Sequence, residues 1–223
     1  MEEEKENSSL SQAQQYPTSY LQDQDLINIS KILAECDPSA FELCANEMID
    51  PDSLDFIPKG NWTSKPTSLD SLRDTYFGRK NNVNRRFEHK LWNALRITAV
   101  HPSLIRFVGV CWVNNNIIKV YKQIFAKLLN IKVVDGGLFH KQGNFTRHGF
   151  VICTEAKAVA EVPEDQLADV DYRDVVLIYH KDNIFTQNSS EDTISNCKWD
   201  DPSPKTRVAS IKINLMPSIE SVE

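Results

Sequence analysis

Two short apolar runs separated by three asparagines lie near the middle of this 223-residue chain. Residues 108–113 (VGVCWV) and 117–120 (IIKV) have the length and the aliphatic and aromatic content of strands. The intervening residues 114–116 (NNN) are typical of a turn, because asparagine readily adopts turn conformations. The spacing therefore predicts a β-hairpin whose first strand is buried.

Helical patterns precede and follow this hairpin. Phe87, Leu91 and Leu95 recur at the spacing of one helix face, and His101-Pro102 ends that helix. After the hairpin the pattern predicts a helix over 122–129 with Lys122 and Lys127 on its outer face, and then a turn over 130–135. A helix over 136–143 capped by Asp135, a loop over 144–149 and a strand over 150–153 are predicted to follow.

Two short helices joined by a turn, with a following strand and a hairpin, are typical of a winged helix-turn-helix. The predicted fold class is therefore α+β, mainly α. In such a domain the second helix of the pair lies in the DNA major groove, and basic residues beside it contact phosphates.

The charges of the chain are strongly segregated. Residues 1–66 carry a net charge of -9, residues 67–155 a net charge of +9, and residues 156–223 a net charge of -6. A basic segment within an acidic chain attracts partners of opposite charge. The middle of the chain is therefore expected to bind a polyanion.

The acidic flanks are expected to be extensions of the basic domain. Residues 1–22 are polar and are predicted to be disordered. Residues 23–66 are predicted to contain one short helix over 23–36, a second after Pro38 that includes Met48, and an extended linker over 50–66 with three prolines. Residues 156–199 are predicted to form a small C-terminal extension that packs against the domain, with an acidic connector around Pro163 and a strand-like run over 175–180. Residues 200–223 are predicted to be a mostly disordered tail. These acidic extensions are candidate contacts for RNA polymerase or other transcription proteins.

Several classes of protein are excluded by what the sequence lacks. The N-terminus is acidic without an apolar segment behind it, and no apolar run is long enough for a membrane helix, so a soluble intracellular protein is expected. The five cysteines are scattered without paired spacing, which predicts neither a zinc site nor disulfides. With no phosphate-binding loop and no readable catalytic set, we expect no enzyme activity and no cofactor.

Four segments resemble a known family in their order along the chain. They are residues 86–95 (RFEHKLWNAL), 108–113 (VGVCWV), 125–131 (FAKLLNI) and 148–150 (HGF). Together they resemble the transcription-initiator DNA-binding domain of the initiator-binding proteins of parasitic protists. The resemblance covers residues 67–155 and implies a nuclear winged-helix protein that recognises the initiator element at the transcription start site.

The predicted recognition helix and the loop after it offer side chains that can contact bases. Lysine can donate to guanine O6 and N7, and glutamine and asparagine can pair with adenine N6 and N7. An ordinary solvated helix face is the alternative for Lys141 and Gln142, and a buried turn residue is the alternative for His148. The candidate DNA-binding residues are His140, Lys141, Gln142, Asn144, Arg147 and His148.

A second group of basic side chains is expected to contact phosphates. Most of them flank the asparagine-rich run at residues 81–84, and the others lie on the helix after the hairpin. A merely soluble basic loop is the alternative. The candidate phosphate contacts are Arg79, Lys80, Arg85, Arg86, Lys122 and Lys127.

The sequence thus predicts a sequence-specific DNA-binding protein of the transcription machinery. The expected target is a core-promoter element similar to an initiator, read by the recognition helix in the major groove. The alternative function is a winged-helix protein-interaction module within a transcription or chromatin complex. Loss of salt-dependent DNA binding on neutralising Lys141 and Arg147 would distinguish the two.

Overall fold

The computed structural model describes residues 44–197. The predictions for residues 1–22, for the helix over 23–36 and for the tail at 200–223 lie outside these residues. Within them, six strands are β1 (Met48–Ile49), β2 (Thr67–Ser68), β3 (Val110–Trp112), β4 (Ile117–Tyr121), β5 (Phe150–Ile152) and β6 (Val175–His180).

Eight α-helices accompany these strands in the described part of the chain, together with a π-helical turn (Arg73–Phe77) and two short 3-10 turns. The architecture is α+β, as the sequence predicts. The helices are α1 (Leu69–Leu72), α2 (Phe87–Val100), α3 (Ile105–Val108), α4 (Lys122–Leu128), α5 (Val134–Leu138), α6 (Asn144–Arg147), α7 (Glu155–Glu161) and α8 (Glu191–Ser195).

The main sheet has four antiparallel strands in the order β3-β4-β6-β5. The predicted hairpin is confirmed, since Val110 pairs with Val120 and Trp112 with Ile118 across the asparagine turn. Its second strand is the one buried along its whole length, whereas Cys111 and Trp112 of the first strand are half-buried. The Asn114 side chain stabilises this turn, because its Oδ1 accepts the backbone N–H groups of Asn116 and Ile117 at 2.9 and 2.8 Å.

Strand β6 lies inside the sheet, between β4 and β5. It was expected in a small extension that packs on the domain, but it pairs with five residues of β4 and three of β5. Consecutive residues from Val175 to Ile178 are all buried, so both faces of the strand are covered. Helix α7 also replaces part of the acidic connector expected around Pro163, and its N-cap Thr154 accepts the Lys157 N–H.

The segment before the basic domain is part of the core. Residues 50–66 were expected to be an extended linker, yet Leu54, Phe56 and Ile57 are buried in the main cluster. Met48, which was expected in a helix, lies in β1, which pairs with β2. The prolines, which suggested an extended connector, lie in and beside turns, and the apolar residues between them fill the core.

The predicted helix over 136–143 is wrong in its bounds. Helix α5 ends at Leu138, residues 139–143 form a turn, and α6 begins at Asn144, where a loop was expected. Gly143 permits this turn, because a Cβ at that position would lie 2.5 Å from the Leu138 carbonyl carbon. Asp135 does not cap α5; it lies in the first turn and pairs with Lys122 at 3.0 Å.

Aromatic rings join α2, α6 and β5. The ring of Phe145 lies 5.1 Å from that of Phe87 and 5.6 Å from that of Phe150, both in edge-to-face contact. Such pairs stabilise a core beyond the area they bury. This cluster fixes the short helix α6 against the N-terminal end of the long helix α2.

Candidate nucleic-acid interface

A polar loop before α2 forms one wall of a surface cleft. The π-helical turn Arg73–Phe77 leads into this loop, which runs over residues 78–86 and is closed by a bridge between Asn82 and Arg85. The cleft has a volume of about 320 Å³. Its lining residues are Gly78, Arg79, Lys80, Asn81, Phe87, Lys90, Leu129, Asn130, Ile131 and Asn144.

A second cleft of about 500 Å³ adjoins the first. The two share Gly78, Arg79 and Asn130, so they form one continuous surface. Lys127 from α4 and the ion pair of Arg73 with Asp74 complete the second cleft. We call the combined surface the basic face, defined by the residues that line the two clefts.

Three of the six predicted phosphate contacts lie on the basic face with exposed side chains: Arg79, Lys80 and Lys127. The Arg79 Nε also donates to the Asp74 carbonyl at 2.7 Å, which holds the loop close to the preceding turn. The structure therefore brings Lys127 of α4 onto one surface with Arg79 and Lys80 of the loop, which are distant from it in sequence.

The side chains of the other three predicted phosphate contacts bind other parts of the protein. Arg85 donates to the Thr75 carbonyl at 3.3 Å, and Arg86 donates to the Ser195 carbonyl at 3.1 Å. Lys122 was expected on the outer face of its helix, but it is buried, beside Asp135 and over the Phe139 ring. Its aliphatic stem and its ion pair thus serve the α4–α5 contact.

The predicted base contacts also include both exposed and partly buried side chains. His140, Lys141 and Gln142 are located in the turn between α5 and α6, and all three are exposed. Asn144 lines the cleft, where its Nδ2 donates to the Gly137 carbonyl at 3.0 Å. Arg147 is half-buried.

His148 lies in the core and not on the surface that DNA could reach. Its Nδ1 is 3.2 Å from the Cys197 carbonyl and 3.4 Å from Glu88 Oε2, and its ring packs on Phe87. His148 is therefore a buried turn residue, which was the alternative to a DNA contact at this position. Its contacts tie the end of α6 to α2 and to the segment after α8.

Two adjacent side chains in the first turn of α2 have strongly shifted pKa values in opposite senses. Burial raises the pKa of Glu88 to about 7, although the Arg86 guanidinium counteracts it. Burial, with a contribution from Arg86, lowers the pKa of His89 to about 4. The Nε2 of His89 is 3.2 Å from Ser195 Oγ, so His89 belongs to the contact between α2 and α8.

These shifts predict opposite pH dependences of stability in two variants. The folded pKa of Glu88 exceeds its unfolded value of 4.5, so its stabilising contribution is full below about pH 4.5 and is lost as the pH rises through about 7. The folded pKa of His89 lies below its unfolded value of 6.5, so its contribution is full above about pH 6.5 and is lost as the pH falls through about 4. In the native chain the two largely offset each other.

The Glu88→Gln variant should therefore lose free energy of unfolding between about pH 7 and pH 5, on the order of 1–2 kcal/mol, since only His89 then acts. The His89→Gln variant should gain a similar amount over the same range. Urea unfolding at several pH values measures the free energy of unfolding of both variants. The titratable His148 is present in both, so it does not distinguish them. Parallel slopes in the two variants would refute the assignment.

One cleft residue, Lys90, is not among the candidates that the sequence offers. It is only 2% exposed, yet it lines the smaller cleft and donates to the Arg79 carbonyl. The helical repeat of the sequence nevertheless indicates that Lys90 is buried. Lys90 follows Phe87 by three positions and precedes Leu91, so it lies on the face of α2 that the apolar residues mark as buried.

Two kinds of feature are absent from the described residues. Within residues 44–197, no helix is both long and apolar enough to cross a membrane. In the same part of the chain, no group of three or more histidine, cysteine, aspartate or glutamate residues is placed to hold a metal ion.

Comparison with known proteins identifies one family. The family model of the transcription-initiator DNA-binding domain matches residues 61–170. The match begins before α1, ends after α7 and contains the whole basic face. Neither the search of curated proteins nor the search of solved structures gave a match.

Proposed function

Because residues 61–170 belong to the transcription-initiator DNA-binding domain family, we propose that this chain is a sequence-specific DNA-binding protein of the transcription machinery. Its proposed target is an initiator-like element of a core promoter, and its proposed site of action is the nucleus. The family supports DNA binding in transcription initiation. The choice of element and the mode of reading are part of the proposal.

The basic face is the observation that carries this proposal. Arg79, Lys80 and Lys127 come from a loop and a helix that are far apart in sequence, yet they line adjoining clefts. Neutralising several phosphates with such cations releases counterions, which drives binding to a nucleic-acid backbone. These three residues are the proposed phosphate contacts.

The turn beside the basic face supplies the proposed base contacts. Asn144 lines the smaller cleft, and the exposed residues Lys141 and Gln142 precede it by only three and two positions. We place α4 and the α5–α6 segment in the roles of the helix-turn-helix pair of a winged helix, with the exposed turn in the major groove. Lys141 and Gln142 then reach base edges while the basic face fixes their register on the duplex.

A binding titration of the full chain separates these two roles. The probes are a duplex with an initiator-like start site and a scrambled duplex of the same composition, each at two salt concentrations. The triple variant Arg79→Gln, Lys80→Gln, Lys127→Gln should bind both duplexes more weakly. Its salt slope should be smaller by about 0.9 for each phosphate that the variant no longer neutralises.

The variant Lys141→Ala, Gln142→Ala should instead reduce the preference for the initiator-like duplex. A good bidentate base contact contributes roughly 1–3 kcal/mol of discrimination, which corresponds to about 5- to 150-fold in the affinity ratio. Lys65→Gln is the matched control, because Lys65 is exposed and lies outside both clefts. Equal binding to both duplexes by the native chain would contradict sequence-specific recognition, and absence of binding would favour a protein-interaction module.

A further inference from the structure

We infer that the smaller cleft of the basic face is a seat for one phosphate group, with Lys90 as its floor. The inference rests on the proposed function, since the phosphate expected there is one of a DNA backbone. It adds a specific ligand group and a residue that the charge pattern of the surface does not indicate.

Lys90 is a buried cation without an acidic partner in the described residues. Its side chain is almost wholly enclosed, and none of the ion pairs in residues 44–197 includes it. The contact on its Nζ is the Arg79 carbonyl. An ammonium group carries three N–H donors, so this carbonyl satisfies only part of its hydrogen-bonding capacity.

Burying such a charge destabilises the folded chain unless a partner offsets the loss of hydration. The pKa of Lys90 reflects this, because burial and the nearby Arg85 guanidinium lower it to about 8. An anion in the cleft would supply the missing partner. It would also restore the pKa towards its ordinary value, since a nearby negative charge favours the protonated amine.

The walls of the cleft are suited to an anion. Arg79 and Lys80 add two cations at its exposed edge, and Asn130 and Asn144 contribute amide side chains. No acidic residue lines the cleft. Phe87 forms part of the apolar side, which reduces the water around Lys90 and strengthens its attraction for a phosphate oxygen.

The test compares Lys90→Met with the control Lys65→Met in the full chain. The probes are the initiator-like duplex at two salt concentrations and, separately, inorganic phosphate at ionic strength matched with chloride. Loss of the seat should weaken DNA binding about tenfold and reduce the salt slope by about 0.9, with the preference between duplexes unchanged. Inorganic phosphate should raise the unfolding temperature of the native chain and of Lys65→Met, but not that of Lys90→Met.

The native chain provides a test without any substitution. DNA binding must keep Lys90 protonated, so the affinity should fall as the pH rises above about 8, by up to about tenfold per pH unit. The other charged side chains that line this cleft are Arg79 and Lys80, and the guanidinium that lowers the pKa of Lys90 is that of Arg85, so all three are basic residues. If Lys90→Met does not fold, the pH dependence of DNA binding by the native chain tests whether Lys90 contacts a phosphate.

The outcomes separate the seat from the proposed function. DNA binding by Lys90→Met with native affinity and salt slope would overturn the seat and leave DNA recognition intact. A phosphate effect that depends on Lys90, in a chain that does not bind DNA, would support the seat and overturn the proposed function. A native chain that neither binds DNA nor is stabilised by inorganic phosphate would overturn both.

Discussion

Ending the chain after Val170 is expected to abolish cooperative unfolding, although such a chain keeps every residue that matches the family model. The truncation removes β6, which is the partner of both β4 and β5. Strand β5 has no other partner in the described sheet, and β4 would retain only β3. The buried residues Val176, Leu177 and Ile178 would be removed from two separate clusters of the core.

The magnitude of this effect is that of the whole folding free energy. Fully burying one Val, Leu or Ile side chain contributes roughly 1.5–3 kcal/mol, and a domain of this size is stable by only about 5–15 kcal/mol. Removing three such side chains and two strand pairings therefore leaves little or no net stability.

The matched control is a chain that ends after Cys197. Both truncated chains lack Trp199 and keep Trp62, Trp92 and Trp112, so tryptophan fluorescence in urea reports on the same residues in each. The control should unfold cooperatively. If the shorter chain unfolded cooperatively at the same urea concentration, β6 would be a peripheral addition, as the sequence suggested.

The contrast between the hairpin and β6 shows what local sequence patterns can predict. The β3–β4 hairpin was predicted correctly because its strands and its asparagine turn are consecutive, and the turn determines which strands pair. The strand pattern of residues 175–180 was equally visible. Its place between β4 and β5 depends on pairing with segments far away in sequence, which no local signal specifies.

The candidate site was predictable to a similar extent. The basic loop could be recognised from composition, and Arg79 and Lys80 lie on the surface as expected. Burial, however, is a property of the tertiary structure. Lys122 and His148 have the chemistry of DNA contacts but are buried, while Lys90, which was not among the candidate contacts, lines the cleft. Residue type indicated the chemistry, and only packing decided which side chains are accessible.

Replacing Asn93 by alanine is expected to lower the free energy of unfolding by about 3–5 kcal/mol, since several buried polar groups lose their partners. Asn93 is fully buried in α2. Its Oδ1 accepts the Ile57 N–H, and its Nδ2 donates to the Ile57 carbonyl and to the Tyr76 hydroxyl, all at 2.8 Å. It thus joins the N-terminal segment to the turn that leads into the basic loop.

A double-mutant cycle with Tyr76→Phe resolves the contributions. That variant removes only the hydroxyl partner and should reduce stability by roughly 0.5–1.5 kcal/mol, the usual net contribution of one hydrogen bond. In its background Asn93→Ala should cost less than it does alone, because the two residues interact directly. The exposed Asn84 provides the control, and its replacement by alanine should change stability by less than about 0.5 kcal/mol.

Urea unfolding of the four chains measures the cycle. Its result also bears on the N-terminal segment, since the Asn93 side chain holds both backbone polar groups of Ile57, within residues 50–66. A large effect of Asn93→Ala would mean that this segment folds with the DNA-binding domain and holds the start of the basic loop in place. An effect as small as that of Asn84→Ala would mean that residues 50–66 behave as the linker that their prolines suggested.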